Sequence, residues 1–351
     1  MNKYYEIESN NKIKYIDIDV YVLYKSLKIK TDNSKKLIDN YSSRWDYYKK
    51  INNKYEYIYN NRHNNIFNVN ITPISRSYFK LQEITIDCNI DIEDCIILCM
   101  AEAPGGFVKN IIDRTTNTKI YANSLLSNDR KIPSWNNMII NSNRVNILNG
   151  VDNTGNIYNI DNINDIIEKV RNKCYLITAD GGMDYSSNYN NQEYDSYKLL
   201  ICEIYLALCT QKIHGYFILK IFDIFNYKTV QLLYILNLFY NKVNIVKPHS
   251  SRCSNSEKYI VCMNFNDNSK DLDLLKTKIY DYIKLNRKID LFIPLSFIMN
   301  IYDYNKVFVE NQSNHIKSTI ELIKNKDNIN NKIYDNLEYS KEWHNKYIPN
   351  N

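Results

Sequence analysis

Four charged residues in this chain of 351 residues lie within or beside apolar or amphipathic segments, and for one of them, Lys220, a function is favoured over a purely structural role. Lys220 interrupts an apolar run (YFILKIF), and a lysine buried there must reach water or a charged partner. Asp180 follows a second apolar run (CYLITA), Glu257 comes just before a third (YIVCMNF), and Lys80 lies in an amphipathic segment. Lysines and carboxylates brought together can hold and move a proton during a nucleophilic attack. Asp180 could instead be a turn former, and Glu257 a surface charge.

The glycines of the chain indicate where the backbone has special conformational requirements. The seven glycines are at 105, 106, 150, 155, 181, 182 and 215. Because the sequence otherwise avoids glycine, each one indicates a sharp turn or a close approach of the backbone to a ligand. The segment 98–107 (LCMAEAPGGF) reads as a buried strand, a turn and the start of a helix, which can bring backbone donors to a nucleoside ligand. The chemistry is therefore expected between residues 81 and 265.

The elements that must position these residues follow from the hydrophobic pattern. From about residue 71, short apolar runs alternate with amphipathic segments, which predicts an α/β domain with a mainly parallel sheet. Functional residues of such sheets gather at the carboxyl ends of the strands. Seven strands are predicted at 95–101, 119–123, 145–148, 174–179, 216–222, 243–246 and 259–265. Helices are predicted at 77–86, 107–114, 163–171, 193–211 and 229–240.

The sequence on either side of this pattern has a different character. We predict an N-terminal extension of uncertain fold over 1–70, a domain over 71–268, and a helical C-terminal extension with a polar tail over 269–351. The end of the chain is expected to be partly disordered. The elements predicted within the extensions are an alternating segment at 15–24, helices at 34–50, 271–285 and 315–326, and the polar tail at 327–351.

The amino-acid composition limits which classes of function are plausible. The eight cysteines form no CxxC pair and the five histidines are scattered, so neither disulfides nor a metal site are predicted. No apolar run reaches the ~18 residues of a membrane span, and the start of the chain lacks the apolar core of a signal peptide. We therefore expect an intracellular protein, cytoplasmic in the first place with the nucleus left open, and no membrane partner. The net charge of +6 suits a polyanionic partner without demanding one.

Together with the segment 75–84 (SRSYFKLQEI), these motifs resemble, in the same order, those of the FtsJ-like family of ribose 2'-O-methyltransferases. The resemblance implies a Rossmann-like α/β fold with seven strands, flanked here by the two extensions, and S-adenosyl-L-methionine as the cofactor. It implies Lys80, Asp180, Lys220 and Glu257 as the catalytic residues. Lys220 would be the general base, with a pKa lowered toward neutrality by burial and by Lys80. Asp180 and Glu257 would orient the two lysines and limit how far the pKa falls.

The resemblance also implies where the cofactor binds. Its methionine and ribose ends would lie against the turn 102–107 and near the end of the second strand, and its adenine near Asp152. The acidic residue that the family usually carries after the second strand is absent here. Asp152 could equally be a structural aspartate of its loop. The implied cofactor-binding residues are Glu102, Pro104, Gly105, Gly106, Phe107, Asn123, Ser124, Asp152 and Asp180.

The wording of two motifs bears on the substrate. Segments 101–107 (AEAPGGF) and 178–182 (TADGG) resemble those of the messenger-cap enzymes of eukaryotes and large DNA viruses. We therefore predict methylation of a 5'-proximal nucleotide of capped mRNA, with RNA and the capping or transcription machinery as partners, and an AT-rich, viral source. A ribosomal or transfer RNA 2'-O-methyltransferase would keep the chemistry and change the substrate. A non-catalytic RNA-binding subunit of a capping complex would keep the fold without turnover.

Overall fold

A computed structural model of the protein describes residues 3–7, 20–59, 71–182, 191–267, 270–326 and 328–348. Its strands are β1 (Tyr4–Glu6), β2 (Ile96–Met100), β3 (Lys119–Ala122), β4 (Val145–Ile147), β5 (Cys174–Ala179), β6 (Gln211–Ile221), β7 (Tyr240–Val246) and β8 (Lys258–Phe265). Its α-helices are α1 (Val20–Lys36), α2 (Ser42–Ile51), α3 (Ser77–Asp87), α4 (Gly106–Arg114), α5 (Asn137–Ile140), α6 (Ile160–Val170), α7 (Gln192–Thr210), α8 (Tyr227–Phe239), α9 (Lys270–Leu285), α10 (Leu295–Asn325) and α11 (Ile329–Tyr347).

One sheet of eight strands organises the described residues. Its order is β1-β7-β8-β6-β5-β2-β3-β4. The strands from β2 to β6 run parallel to one another, while β8 runs antiparallel between β6 and β7. Strand β1 adds in antiparallel direction to the outer edge of β7. The predicted α/β fold with seven strands is confirmed, and the N-terminal extension contributes an eighth strand.

Hydrophobic residues of the sheet alternate between two cores, one on each face, as expected for strands that are covered on both sides. In β2, Leu98 and Met100 belong to one core. Ile97 and Cys99 belong to the other. Helices α6, α7 and α8 cover the first core, and α3 and α4 cover the second. This layering leaves the carboxyl ends of the parallel strands as the place for a ligand.

The two terminal extensions pack against each other and against the domain between them. Trp45 of α2 lies in a buried cluster with Ile316 and Ile323 of α10. A second buried cluster joins residues from both extensions and from α3, namely Ile58, Tyr78, Phe79, Trp343 and Tyr347. The extensions therefore complete the hydrophobic surroundings of α3.

The C-terminal tail differs from its prediction. Partial disorder is wrong for most of 327–351, because α11 forms there. Trp343 and Tyr347 are spaced four residues apart, so both rings lie on one side of α11 and are buried against α3. The helix predicted at 315–326 is the last part of the longer α10. None of the helices within the described residues is long and apolar enough to cross a membrane.

The N-terminal extension also differs in detail from its prediction. The helix predicted at 34–50 is divided, since α1 ends at Lys36 and α2 begins at Ser42. The alternating segment predicted at 15–24 lies partly outside the described residues, and its described part belongs to α1. Alternation over a few residues cannot distinguish a strand from a helix that is buried on one side.

Candidate active site

The four predicted catalytic residues meet at one edge of the sheet. Lys220 is the second-last residue of β6, and Asp180 directly follows β5, which is parallel to β6. Glu257 precedes β8, and because β8 is antiparallel to β6, its first residues lie beside the last residues of β6. Lys80 is contributed by α3. Strand direction thus explains why Asp180, Lys220 and Glu257 lie together although they are far apart in sequence.

Two lysine–carboxylate pairs form the centre of the site. Lys80 Nζ lies 2.8 Å from Glu257 Oε1 and 2.9 Å from Oε2. Lys220 Nζ lies 3.3 Å from Asp180 Oδ1 and donates a hydrogen bond of 2.6 Å to the carbonyl oxygen of Asp180. The four side chains are between 11% and 14% exposed, so a substrate group can still reach them from solvent.

The pKa of Lys220 is raised above its usual value. Burial lowers this pKa, but the carboxylates of Asp180 and Glu257 raise it by more. The prediction of a pKa lowered toward neutrality is therefore wrong. Lys80 does not drive the pKa of Lys220 down because its own charge is compensated by Glu257 at 2.8 Å. Lys220 rests in its protonated form at neutral pH.

A tyrosine that the sequence motifs do not single out completes the Asp180 side of the site. Tyr259 is fully buried, and its hydroxyl donates to Asp180 Oδ1 at 2.8 Å. Burial, with Asp180 adding to it, raises the pKa of Tyr259 well above its usual value, so the hydroxyl stays a donor. Tyr259 lies directly opposite Lys220 across β6 and β8. Antiparallel pairing of the two strands is the signal that could have identified it.

A third lysine holds the loop that carries Glu257. Lys247 is buried, and its Nζ donates to Ser251 Oγ (3.0 Å), to the carbonyl oxygen of Asn255 (2.8 Å) and to that of Glu257 (2.5 Å). Ser251 Oγ in turn donates to Glu257 Oε1 at 2.8 Å. Burial raises the pKa of Glu257, but the three neighbouring lysines outweigh it and keep this pKa well below its usual range. Glu257 is therefore an anion at neutral pH.

Glu102 lies at the same edge, where the chain leaves β2. Its Oε1 accepts the N–H of Phe107 at 2.6 Å, which closes the turn before α4. Its Oε2 is buried and has no hydrogen-bond partner among the described residues. Burial, together with nearby Asp180, raises the pKa of Glu102 well above its usual value. A buried carboxyl oxygen without a partner is costly, so this atom fits a polar or cationic group of a ligand.

The turn after Glu102 offers mainly backbone to a ligand. Gly105 has a φ of 110°, a conformation that favours glycine. A Cβ on Gly106 would lie 2.1 Å from the hydroxyls of Ser75, just before α3, and Ser77, its first residue, so glycine there permits a close approach of the two segments. Phe107 buries its ring in the core, and Pro104 is half-buried. Any contact of Phe107 with a cofactor would therefore involve its backbone.

The other predicted cofactor residues make hydrogen bonds within the protein. The Asn123 amide donates to two carbonyl oxygens of the neighbouring loop, at 2.8 and 3.2 Å. Ser124 Oγ accepts a backbone N–H at 3.3 Å. The exposed Asp152 carboxylate accepts four hydrogen bonds of 2.7–2.9 Å from residues 154–162, which lower its pKa. A role for these three side chains in cofactor binding stays a prediction.

Gly155 shapes this edge of the sheet. Its φ is 67°, and an added Cβ would lie 1.9 Å from the carbonyl oxygen of Ser124. Because the backbone would have to move, we expect Gly155→Ala to lower the free energy of unfolding by about 2–5 kcal/mol, measured by urea unfolding. In the control Gly182→Ala, the nearest atom to the added Cβ is the flexible tip of Lys220 at 3.2 Å. Equal losses in the two variants would contradict the prediction.

Glu203 of α7 is a second buried carboxyl group next to the site. Its Oε1 has no hydrogen-bond partner within the described part of the chain, and a Cβ on Gly181 would lie 2.5 Å from that oxygen. Burial raises the pKa of Glu203 to about 8, while Lys220 lowers it and Asp180 raises it further. Glu203 is therefore largely neutral at pH 7, although it lies near a charged pair.

Replacement of Glu203 should change how stability depends on pH. Its folded pKa of about 8 lies above the ordinary value of 4.5, so its stabilising effect is full below that ordinary value and is lost as the pH rises through 8. Glu203→Gln resembles the neutral acid at every pH. We expect the variant to unfold with a free energy higher than wild type by on the order of a few kcal/mol at about pH 9, and equal near pH 4.5. Urea unfolding at both pH values measures the difference, and a difference independent of pH would contradict the assignment.

The family of the chain follows from comparison with known proteins. Residues 73–265, more than half of the 351 residues, match the model of the FtsJ-like methyltransferases. The chain belongs to the FtsJ-like methyltransferase family. The matched segment begins just before α3 and ends with β8, so it contains all four residues of the central pairs and the turn of Glu102.

Individual relatives of this FtsJ-like methyltransferase carry more specific names. The cap-specific mRNA (nucleoside-2'-O-)-methyltransferase 1 of Bos taurus is 30% identical in an alignment of 190 residues that covers 50% of this chain and 22% of the bovine protein. The cap-specific mRNA (nucleoside-2'-O-)-methyltransferase of Autographa californica nuclear polyhedrosis virus is 28% identical over 199 residues, 57% of this chain and 75% of the viral protein. A crystal structure described as a ribosomal RNA methyltransferase of Plasmodium falciparum shows 25% identity and a TM-score of 0.41, covering 54% of this chain and 97% of its own.

Proposed function

We propose that this FtsJ-like methyltransferase transfers a methyl group from S-adenosyl-L-methionine to the ribose 2'-hydroxyl of a 5'-proximal nucleotide of capped mRNA. The observation that carries the proposal is the convergence of Lys80, Asp180, Lys220 and Glu257 at the carboxyl edge of the sheet. The names of the bovine and viral relatives support RNA 2'-O-methylation at the cap. Action inside the cell and an association with capping machinery remain predictions.

The edge formed by the ends of β2 and β5 fits the cofactor. The unpartnered Oε2 of Glu102 can accept a hydrogen bond from the ammonium group of the cofactor's methionine part. The backbone of the turn 104–107 can lie along that part of the cofactor. When bound, S-adenosyl-L-methionine supplies a methyl group on a positively charged sulfur. Asp180 lies near Glu102, since its charge contributes to the raised pKa of Glu102. The cofactor side and the lysine side of the site therefore share this aspartate.

Lys220 would be the base that takes the proton of the ribose hydroxyl as the hydroxyl oxygen forms a bond to the methyl carbon and the bond from that carbon to the cofactor sulfur breaks. A base must be a neutral amine, whereas resting Lys220 is protonated because Asp180 and Glu257 raise its pKa. A positive charge placed beside Lys220 on ligand binding lowers this pKa and favours loss of the lysine proton to solvent. The hydrogen bond of 2.6 Å from Lys220 Nζ to the carbonyl oxygen of Asp180 then fixes the direction of the amine lone pair.

The first test is the transfer of tritium from labelled S-adenosyl-L-methionine to a short capped RNA, with the same RNA uncapped alongside. We expect label on the ribose of the capped RNA and far less on the uncapped one. Equal labelling of both would favour a ribosomal or transfer RNA substrate. No label on any RNA from a folded protein, with no binding of the cofactor, would favour a non-catalytic RNA-binding subunit.

A further inference from the structure

We propose that Glu83 is a positioning residue that couples the helix of Lys80 to residues 248–257, here called the Glu257 loop. The inference rests on the proposed function, because it concerns how the pair of Lys80 and Glu257 is held for catalysis. Glu83 itself belongs to α3, and within the described part of the chain its carboxylate bonds to groups other than Lys80 and Glu257. Its effect would therefore be exerted through the loop.

Both carboxylate oxygens of Glu83 bind the start of the Glu257 loop. The side chain is fully buried. Oε1 accepts the N–H of His249 at 2.7 Å, and Oε2 accepts the N–H of Ser250 at 2.9 Å and its hydroxyl at 2.8 Å. Hydrogen bonds to an ionised acceptor are stronger than those between neutral groups. Glu83 thus fixes the backbone at two consecutive residues of the loop.

The position of Glu83 in α3 makes it an anchor for the catalytic pair. It lies three residues after Lys80, so the two side chains project from neighbouring positions on one side of the helix. The loop leaves Glu83 at His249 and returns Glu257 to within 2.8 Å of Lys80 Nζ. Lys247 joins the two ends of the loop through its hydrogen bond to the Glu257 carbonyl oxygen. Any shift of the loop relative to α3 would change the distance between Lys80 and Glu257.

Residues of both terminal extensions contact Glu83. Lys3, just before β1, forms an ion pair with Glu83, and Trp343 of α11 donates its indole N–H to Glu83 Oε2 at 3.2 Å. Further along the Glu257 loop, Arg252 binds both carboxylate oxygens of Glu56 at 2.9 and 2.5 Å. The extensions therefore hold the Glu257 loop from outside the domain that matches the family. Through Glu83, they contribute to the geometry of the active site.

Glu83→Gln in the full chain tests the inference. An amide nitrogen cannot accept a hydrogen bond, so either His249 or Ser250 loses its partner. We expect kcat to fall by about 10- to 100-fold, the cost of a displacement of about 1 Å, while KM for S-adenosyl-L-methionine stays within about threefold. Hydrogen exchange at the amides of His249 and Ser250 should become faster, whereas a general loss of stability would not single out this loop.

Glu93→Gln is the matched control. Glu93 also accepts hydrogen bonds from backbone N–H groups of a loop, from Thr116 at 3.0 Å and Asn117 at 2.9 Å. However, Glu93 lies just before β2, at the amino end of that strand, whereas the active site lies at the carboxyl ends. Its replacement should leave kcat unchanged. If Glu83→Gln does not fold, Trp343→Phe removes the indole N–H, keeps an aromatic ring at this position, and should give a smaller fall in kcat at unchanged KM.

Three results would overturn the inference. One is a folded Glu83→Gln variant with the kcat of the wild type, and another is an equal loss of kcat in Glu93→Gln. Failure of the proposed function has a different signature, because the wild-type protein would then label no RNA. In that case, hydrogen exchange at the backbone amides of His249 and Ser250 still tests whether Glu83 holds the loop. If Glu83→Gln left these exchange rates unchanged, this third result would refute the role of Glu83.

Discussion

Lys220→Met is expected to reduce methyl transfer to capped RNA by about 10²- to 10⁴-fold. Methionine keeps most of the buried stem but cannot accept the hydroxyl proton or donate to the carbonyl oxygen of Asp180, which lies 2.6 Å from Nζ. Binding of S-adenosyl-L-methionine should persist, because the proposed contacts for its methionine part are at Glu102 and the turn that follows. The initial rate of tritium transfer and equilibrium binding of the cofactor measure the two effects separately.

Lys212→Met provides the control for this prediction. Lys212 belongs to the same strand, β6, but lies exposed at its other end. It should therefore retain the wild-type rate. A Lys220→Met protein that kept more than about a tenth of the wild-type rate would exclude Lys220 as the base, since general base catalysis contributes more than that.

Asp180→Asn is expected to lower kcat by about 10²- to 10³-fold. The change removes the charge that lies 3.3 Å from Lys220 Nζ and weakens the acceptor of the Tyr259 hydroxyl. It should also lower the pKa of Lys220, because Asp180 is the strongest of the groups that raise this pKa. The ascending limb of the pH–rate profile should therefore move to lower pH even as the maximum rate falls.

The pH–rate profile of kcat distinguishes the two roles of Asp180. If Asp180 acted only by setting the pKa of Lys220, its loss would increase the rate at neutral pH, because more of the amine would be neutral. A lower rate at every pH indicates that Asp180 also orients Lys220. Asp165→Asn, which breaks the surface pair of Asp165 with Lys169 (2.6 Å), is the matched control and should change neither rate nor profile. An unmoved limb in Asp180→Asn would show that Lys220 is not the titrating base.

The parts of the site that depend on strands could be predicted from the sequence. Lys220 stands out because a charge within an apolar run is costly to bury without a partner, and Asp180 stands out because it follows an apolar run at the end where functional residues gather. The predicted strand 174–179 coincides with β5. Because the carboxyl ends of parallel strands lie on the same side of a sheet, the end of β5 lies beside the end of β6. The roles of these residues in catalysis remain proposals, whereas their proximity is observed.

The Glu257 loop shows what the sequence could not indicate. Glu83 and Ser250 are 167 residues apart, and neither stands in a local pattern that distinguishes it from other polar residues. Lys247 likewise follows an ordinary apolar run. The direction of the Lys220 pKa could not be predicted for a similar reason, because it depends on the balance between burial and two carboxylates at distances that only the fold determines.

Strand β1 covers one edge of the sheet. Its residues Tyr4, Tyr5 and Glu6 pair with the last part of β7, whose other side is already paired with β8. Without β1, this part of β7 would present free backbone N–H and C=O groups, to which a strand of another molecule could add. By pairing with these groups, the three residues of β1 would disfavour edge-to-edge association, an effect that is independent of methyl transfer.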